Sequence, residues 1–276
     1  VTGSFAVQGA ALSLRNVKLT SSSGRRRALA PGSARRALAA QENGGCLAVE
    51  NGALTVTDVT FDGCVASDDG GAIHAVNADV EITGSRVEEC SCTDHGCAFY
   101  LDGESGSRTL SIRDTYIGQC RDPKMRTLIK IKGFDHVELA GITAENNAIG
   151  EGNKAQAVIE FSKQSATLVA NSTFVDNKMR VLRGFQFLPG TFDIVNSTFL
   201  RNEDTKGEER ISGGGALFFK EASAMTHLLI SGCAFIENES FDKEKTKEAL
   251  DCRCDECETQ WECEECEGCD GDDCDE

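Results

Sequence analysis

The chain has 276 residues, with 14 cysteines, only 3 prolines and a net charge of −17 at pH 7. No apolar stretch approaches the roughly 18 residues of a transmembrane helix, which excludes a helical membrane span. So many cysteines argue against a reducing compartment unless they bind metal, so a secreted or cell-surface protein is expected. The chain starts without Met or a signal peptide, which favours a processed portion of a secreted precursor.

A faint first copy of a repeat occupies the amino end, with Leu12 and Leu14 before Asn16 and Leu19 after it. A basic insertion, residues 21–43, follows it, and both a short helix after Ser33 and a loop are compatible with its sequence. Residues 1–44 carry seven Lys or Arg and one Glu, a net charge of +6. The arginine runs have no aromatic partners and belong to an acidic protein, so no nucleic-acid partner is predicted.

The repeat then recurs seven times with fixed offsets. Each origin is Asn, Asp or Gly, with an aliphatic residue two positions earlier and an apolar residue three positions later. The origins are Asp58, Gly84, Asp114, Gly141, Asn171, Asn196 and Gly232. They lie 26, 30, 27, 30, 25 and 36 residues apart, the spacing of a solenoid with loops of variable length. Apolar residues alternate before each origin, and these residue types tolerate a positive φ, so each origin predicts a corner between two strands.

A further strand precedes each pair, announced by glycine in the early copies, as at Gly70-Gly71-Ala72-Ile73. Three strands per copy predict a parallel β-helix of about eight coils over residues 1–250, with each strand paired to its counterpart about 4.8 Å away. The remaining residues, 251–276, form a separate acidic, cysteine-rich tail or linker.

Six residues after each origin lies a column of Cys and Asn. Its members are Cys64, Cys90, Cys120, Asn147, Asn177, Asn202 and Asn238. The four asparagines predict a structural ladder in which side-chain amides bond to one another along the axis. The coil spacing lies within the Cα separation that a disulfide accepts, so it allows one of the two adjacent pairs, Cys64–Cys90 or Cys90–Cys120, to be bridged along the axis.

The fourteen cysteines divide into two even-numbered sets. The disulfide candidates are Cys46, Cys64, Cys90, Cys92, Cys97, Cys120, Cys233, Cys252, Cys254, Cys257, Cys263, Cys266, Cys269 and Cys274. Six precede residue 121 and eight begin at Cys233, which predicts two separate disulfide groups of unspecified connectivity. The tail holds thirteen acids and one Arg, so a disulfide-stapled module, a thiolate metal site and weak Ca²⁺ binding are the alternatives there. Mainly oxidised cysteines without a metal cluster or other cofactor are predicted.

Two sets of polar residues are candidate sites. Asp68 and Asp69 precede Gly70, and Asp94 and His95 occupy the equivalent corner one copy later. Solvated turn residues are the default interpretation of these four, and a catalytic cluster is the alternative. The glycosylation candidates are Asn171, Asn196 and Asn238. Asn171 and Asn196 are also corner origins, which is a structural reason for asparagine there.

The pairing of GGAI or GGAL with FIEN, FVDN and FLRN resembles the repeat of chlamydial polymorphic outer membrane proteins, within the right-handed parallel β-helix superfamily typified by pectate lyases. The resemblance covers residues 12–238 and implies a right-handed coil. An enzyme of this superfamily would present carboxylates, or a basic residue with bound Ca²⁺, on one strand face. The outward positions of the first strand are instead Ala48, His74, Tyr100 and Lys130, without a carboxylate pair among them.

The expected function is therefore structural rather than enzymatic. Open sheet edges and ends of opposite charge favour a secreted or surface protein that associates with itself head to tail into a fibre or layer. The alternatives are a carbohydrate-active or carbohydrate-binding β-helix, with a site near Asp68, Asp69, Asp94 and His95, and a fragment of a larger adhesin. Glycans are the further partner class considered.

Overall fold

The chain is known from a computed structural model that describes residues 5–20, 43–104, 107–122, 126–149, 157–204, 215–220 and 224–240. These residues form 26 strands, numbered β1 to β26 in chain order, and almost no helix. All strand pairs are parallel, so the prediction of an all-β fold with parallel sheets is confirmed. The insertion from residue 21 to residue 42 and the tail 251–276 lie outside the described residues.

Most repeats contribute three strands in succession. The first strands are β1 (Phe5–Gln8), the first halves of β4 (Leu47–Thr57) and β6 (Ile73–Thr83), β8 (Phe99–Asp102), β12 (Thr127–Lys132), β16 (Ala157–Ser162), β19 (Arg180–Phe185) and β23 (Leu217–Lys220). The second strands are β2 (Ala11–Arg15), the second halves of β4 and β6, β9 (Thr109–Arg113), β13 (His136–Ala140), β17 (Ala166–Ala170), β20 (Gly190–Val195) and β24 (Met225–Ser231). The third strands are β3 (Lys18–Thr20), β5 (Thr60–Asp62), β7 (Arg86–Glu88), β10 (Tyr116–Gly118), β14 (Thr143–Glu145), β18 (Thr173–Val175), β21 (Thr198–Leu200) and β25 (Ala234–Ile236). Four short strands complete the set: β11 (Arg121–Asp122), β15 (Ala148–Ile149), β22 (Glu203–Asp204) and β26 (Glu239–Ser240).

Strands pair with their counterparts in the next repeat, which makes the fold solenoid-like. The first and second strands share a 14-stranded sheet, and the third strands form an 8-stranded sheet in the order β25-β21-β18-β14-β10-β7-β5-β3. In β4 and β6 the first two strands run on without a break, and the chain turns within each of them at Asn51 and Asn77, which have φ values of 55° and 50°. Pairing in register places equivalent residues above one another, so the inward apolar side chains form continuous columns.

The seven origins have the corner conformation that their residue types predict. Their φ values are 52° at Asp58, 60° at Gly84, 48° at Asp114, 66° at Gly141, 49° at Asn171, 49° at Asn196 and 65° at Gly232, and Asn16 of the faint first copy has 53°. A Cβ atom on Gly84 would lie 2.5 Å from Oδ1 of Asp58 in the preceding repeat. Glycine at this corner adopts the positive φ without strain and leaves room for the Asp58 carboxylate stacked against it.

The asparagine column is a hydrogen-bonded ladder. Nδ2 of Asn147 donates to Oδ1 of Asn177, Asn177 donates to Asn202, and Asn202 donates to Asn238, each at 2.9 Å. The second Nδ2 hydrogen of Asn177 goes to the carbonyl of Ala144, and Oδ1 of Asn177 also accepts from the main-chain N–H of Asn147. The interior amides are fully buried, and their donors are paired, as burial requires.

Two disulfides lie among the described cysteines. Cys46, at the start of a first strand, is bonded to Cys64, which follows the third strand of the same repeat, with their Cα atoms 5.5 Å apart. Cys92 is bonded to Cys97 across a corner loop. Neither of the two axial bridges that the coil spacing allows, Cys64–Cys90 and Cys90–Cys120, is formed in this structure, and Cys64 is bonded to Cys46 because closing one repeat brings the two together. Of the other described cysteines, Cys90 and Cys120 are buried thiols and Cys233 is a partly exposed thiol.

None of the described residues belongs to a helix with the length and apolar character needed to span a membrane. Most of the large apolar side chains lie in the stacked columns of the core, where Phe61, Phe99 and Phe161 are fully buried.

Candidate functional site

The outer face of the first-strand sheet carries a row of polar and aromatic side chains at one register position. In order along the sheet they are Ala48, His74, Tyr100, Lys130, Glu160, Arg183 and Phe218. Ala48, His74, Tyr100 and Lys130 were predicted from the sequence, whereas Glu160 and Arg183 were missed. The same offset from the strand start, followed beyond Lys130 into the next two repeats, is the signal that would have found them.

The centre of this row is an ion cluster rather than an open site. The Lys130 ammonium contacts Glu160, whose Oε2 also lies 2.9 Å from Nη1 of Arg183. Burial and the nearby cations Arg183 and Lys132 lower the pKa of Lys130 to about 8, so it remains largely protonated at neutral pH, opposite the Glu160 carboxylate. Glu160 is only 2% exposed, so a ligand reaches this carboxylate only by displacing the side chains around it. Ion pairing of this kind offsets the cost of burying the charges, which is a structural role.

Next to the ion cluster, two rings stack along the row. His74 and Tyr100 lie with their ring centroids 4.9 Å apart and their planes at 11°. Burial lowers the pKa of His74, which keeps the imidazole neutral, and burial raises the pKa of Tyr100 to about 12. The stack is thus uncharged at neutral pH, with each ring occupying one face of the other.

The corner before these strands brings together three of the four acidic-cluster residues. We call Asp69, Asp94 and His95 the corner cluster. Nδ1 of His95 lies 3.0 Å from Oδ1 of Asp94 and 3.9 Å from Oδ1 of Asp69, and the His95 main-chain N–H donates to the latter oxygen at 2.8 Å. The Cys92–Cys97 disulfide spans the loop that carries two of the three residues. The fourth candidate, Asp68, contributes its main-chain carbonyl, which accepts from the N–H groups of Thr93 and Asp94.

Burial shifts the pKa values of two residues of the corner cluster in opposite directions, and it favours the uncharged form of each. It raises the pKa of Asp69 to about 6, although the hydrogen bond from the main chain of His95 opposes the shift. Burial lowers the pKa of His95, and the Asp94 carboxylate opposes that shift. A carboxyl that gains its proton near pH 6 is a candidate proton donor, and such perturbed groups occur more often at functional sites than elsewhere.

The corner cluster is only partly suited to a metal ion. One atom from each residue lies within 4.8 Å of the other two, so the three offer two oxygen ligands and one nitrogen ligand. However, Nε of Arg126 lies 2.9 Å from Oδ1 of Asp94. A cation bound to that oxygen would displace the guanidinium, so the cluster is already neutralised by a protein group.

A different feature distinguishes the last repeat, β23 to β25. Leu228, Ile230 and Phe235 occupy the core columns of the preceding Phe192, Ile194 and Phe199. The preceding three are at most 1% exposed, whereas the last three are 44–45% exposed. Among the described residues, no strand pairs with the outer edges of β24 and β25. This last-repeat edge therefore combines apolar side chains with unpaired main-chain groups.

The opposite end of the columns is formed by β1 to β3. Leu12, Leu14 and Leu19 stand in the same columns as Leu228, Ile230 and Phe235, respectively, as the strand registers show. Leu12 and Leu14 are partly exposed, whereas Leu19 is only 1% exposed. The two ends therefore present equivalent positions in the two second-strand columns, while the third-strand column is exposed at the last repeat and buried at the first.

The three sequons lie in two different environments. Asn171 and Asn196 are exposed corner residues in neighbouring repeats. Asn238 belongs to the ladder: its Oδ1 accepts from Asn202 and its Nδ2 donates to the carbonyl of Phe199. A glycan on Asn238 would therefore require this amide to leave its hydrogen bonds.

Comparisons with protein-family models, with curated proteins and with solved structures find no match for this chain. The resemblance to pectate lyase-like and chlamydial surface proteins therefore stays a prediction from the repeat residues.

Proposed function

We propose that the chain is a secreted structural or surface protein built as a right-handed parallel β-helix of about eight coils, whose copies associate head to tail through the last-repeat edge. The observation that carries the proposal is the exposure of Leu228, Ile230 and Phe235 at positions that are buried in the preceding repeat. Burial of apolar surface of this kind contributes about 25 cal/mol per Å².

The repeat pattern favours a second copy of the chain as the partner that covers the last-repeat edge. Each repeat is covered in the same way, by a parallel strand carrying apolar residues at the same offsets. The β2 and β3 strands of another copy carry Leu12, Leu14 and Leu19 at those offsets, so they would extend both sheets without a change of register. Main-chain hydrogen bonds would hold the joint, as in other forms of strand addition.

Charge would orient the two copies. Residues 1–44 have a net charge of +6 and residues 251–276 one of −12, which opposes head-to-head contact and favours head-to-tail contact. Exposed ion pairs contribute only about 0–1 kcal/mol each, so charge would mainly accelerate encounter. Raising the salt concentration should slow assembly more than it weakens the finished assembly.

Light scattering on the full-length chain at increasing concentration tests this function. The wild type should form larger species, whereas Ile230→Lys should remain monomeric because a charge would be buried in the joint. Leu188→Lys is the matched control, since Leu188 is 38% exposed but belongs to the loop before β20 rather than to the open edges of β24 and β25. Leu12→Lys, on the opposite surface, should also prevent assembly, and circular dichroism should show that each variant is folded.

Deletion of residues 1–20 should also abolish assembly. A wild type that stays monomeric at high concentration across a range of salt would contradict self-association. An assembly unaffected by both Ile230→Lys and Leu12→Lys would contradict contact through these two ends.

The corner cluster favours a second candidate, binding or cleavage of an acidic polysaccharide. Arg126 would pair with a sugar carboxylate, and Asp69, whose pKa is raised to about 6, would donate a proton below that pH. Titration calorimetry and a cleavage assay with uronic-acid oligosaccharides test this candidate. Asp69→Asn should abolish the response, while the matched Asp176→Asn, at an exposed ion pair with Arg201, should retain it. Binding that is equal in both variants would reject the site.

A further inference from the structure

Two buried thiols stand one above the other in neighbouring repeats. Cys90 and Cys120 follow β7 and β10, which pair in register from Arg86 opposite Tyr116 to Glu88 opposite Gly118. Continuing that register by two residues places Cys120 opposite Cys90. Both side chains are completely buried, and neither belongs to a disulfide.

The two thiols lie close enough to influence each other, since the Cys120 thiol adds to the rise in the pKa of the Cys90 thiol. The Cys90 thiol donates to the carbonyl of Glu88 at 3.3 Å, and the Cys120 thiol donates to that of Gly118 at 3.6 Å. Neighbouring parallel strands are about 4.8 Å apart, which is within the Cα separation of about 4.4–6.8 Å found in disulfides. A bond between these sulfur atoms therefore requires side-chain rotation rather than a change in strand pairing.

In the column of Cys and Asn residues, Cys90 and Cys120 are each the only neighbouring free thiol with which the other can form a disulfide. Below Cys90, Cys64 is already bonded to Cys46. Above Cys120 stands Asn147, whose Oδ1 accepts from the main-chain N–H of Cys120 at 3.1 Å. The pair thus stands between a disulfide-closed repeat and the asparagine ladder.

We propose that Cys90 and Cys120 form an axial disulfide that joins two consecutive repeats when the protein meets an external disulfide. Cys90 and Cys120 lose their two S–H bonds, one S–S bond forms between them, and the two electrons and two protons pass to the external disulfide, which becomes two thiols. Such a bond would continue the asparagine ladder as a covalent link, so that repeats on both sides are held along the axis.

The buried environment makes the reaction slow. Burial raises the pKa of the Cys90 thiol, with the Cys120 thiol adding to the shift, so little of the reactive thiolate is present at neutral pH. Oxidation should therefore follow local opening of the third-strand sheet and accelerate with pH. The partly exposed thiol of Cys233 should react earlier with the same oxidant.

Peptide mapping of the full-length chain tests the proposal. The protein is incubated with oxidised glutathione, its remaining thiols are alkylated in denaturant at acidic pH, and trypsin is applied without reduction. Cleavage at Arg and Lys separates peptide 37–86, which holds Cys46 and Cys64, peptide 87–108, which holds Cys90, Cys92 and Cys97, and peptide 114–121, which holds only Cys120. The expected product is peptide 87–108 joined to peptide 114–121.

Control variants make the result specific. Cys120→Ser should leave peptide 87–108 unjoined, with one alkylated cysteine, and Cys233→Ser should leave the joined product unchanged. Because Cys120→Ser can weaken folding, the wild type is also compared before and after oxidation: the oxidised form should unfold at a higher denaturant concentration. The proposal is overturned if Cys90 and Cys120 are both alkylated after prolonged oxidation, or if peptide 114–121 is joined to a peptide from the tail.

Discussion

Ile194 and Ile230 carry the same sequence signal in neighbouring repeats, yet they lie in different environments. Each stands two residues before a corner origin, and the two residues are paired in register. Ile194 is 0% exposed and Ile230 is 44% exposed. The difference arises because a further repeat covers Ile194 on the side where, among the described residues, Ile230 has none. Burial in such a fold is thus supplied by the next repeat rather than by the residue's own repeat.

The largest expected effect contrasts Phe199 with Phe235. Phe199 is 0% exposed and stacks between Phe174 and Phe235, with ring centroids 5.2 and 4.8 Å away. Phe199→Ala should destabilise the fold by about 3–5 kcal/mol, because it leaves a cavity between repeats. Phe235→Ala should cost about 1 kcal/mol in the monomer, since the ring is already partly exposed. Urea unfolding of both variants at low protein concentration measures the contrast, and equal losses would contradict it.

A smaller contrast is expected within the asparagine ladder. Asn177→Ala removes the oxygen that accepts hydrogen bonds from the main-chain N–H and from Nδ2 of Asn147. Leaving these buried donors unpaired costs about 1–3 kcal/mol. Asn238→Ala should cost less, about 1 kcal/mol, because Asn238 is partly exposed and water can replace it. The same unfolding measurement applies. Asn171→Ala, at an exposed corner with a φ of 49°, measures the cost of placing alanine at positive φ without loss of a ladder hydrogen bond. A ladder that merely fills space would give similar values for Asn177 and Asn238.

The smallest expected effect is the pH dependence that Asp69 of the corner cluster gives to the free energy of unfolding. The folded pKa of Asp69, about 6, exceeds its ordinary value of 3.8, so the folded state holds this proton more tightly than the unfolded chain. The stabilising contribution is therefore complete below pH 4 and is lost as the pH rises to about 6. With allowance for solvent screening, the loss should be about 1 kcal/mol and absent in Asp69→Asn.

A control with the opposite sign is available at an exposed ion pair. Arg201 lowers the pKa of Asp176, so its small contribution should be present above the ordinary pKa and lost at low pH. Comparing the unfolding free energies of Asp69→Asn and Asp176→Asn with the wild type from pH 3 to 7 separates the two. An Asp69→Asn profile parallel to the wild type would show that this carboxyl is not perturbed.

The sequence was most informative where backbone geometry limits the residue choice. Positive φ favours Asn, Asp and Gly, and all seven origins are of these types, so the origins were visible without a structure. The corner after the third strand carries the same conformation on Glu89, Gln119 and Arg201, and it gave no such signal. The parallel pairing followed from equal offsets between copies. Glu160 was missed because the outward offset that gave Lys130 was not followed into the next repeat. The Cys46–Cys64 bond was missed because repeat spacing shows which residues stack but not which side chains meet across one repeat. The exposure of Ile230 could not be predicted, because it depends on what lies beyond the repeat.

Hydrogen–deuterium exchange as a function of protein concentration tests the central claim most directly. Head-to-tail stacking predicts that amides of β24 and β25, which are unpaired on their outer edges among the described residues, become protected as concentration rises. Amides of β2 and β3 should gain protection in parallel, while those of β13 and β14 stay unchanged because neighbouring repeats already pair with them on both sides. Concentration-independent exchange in β24 and β25 would contradict the account.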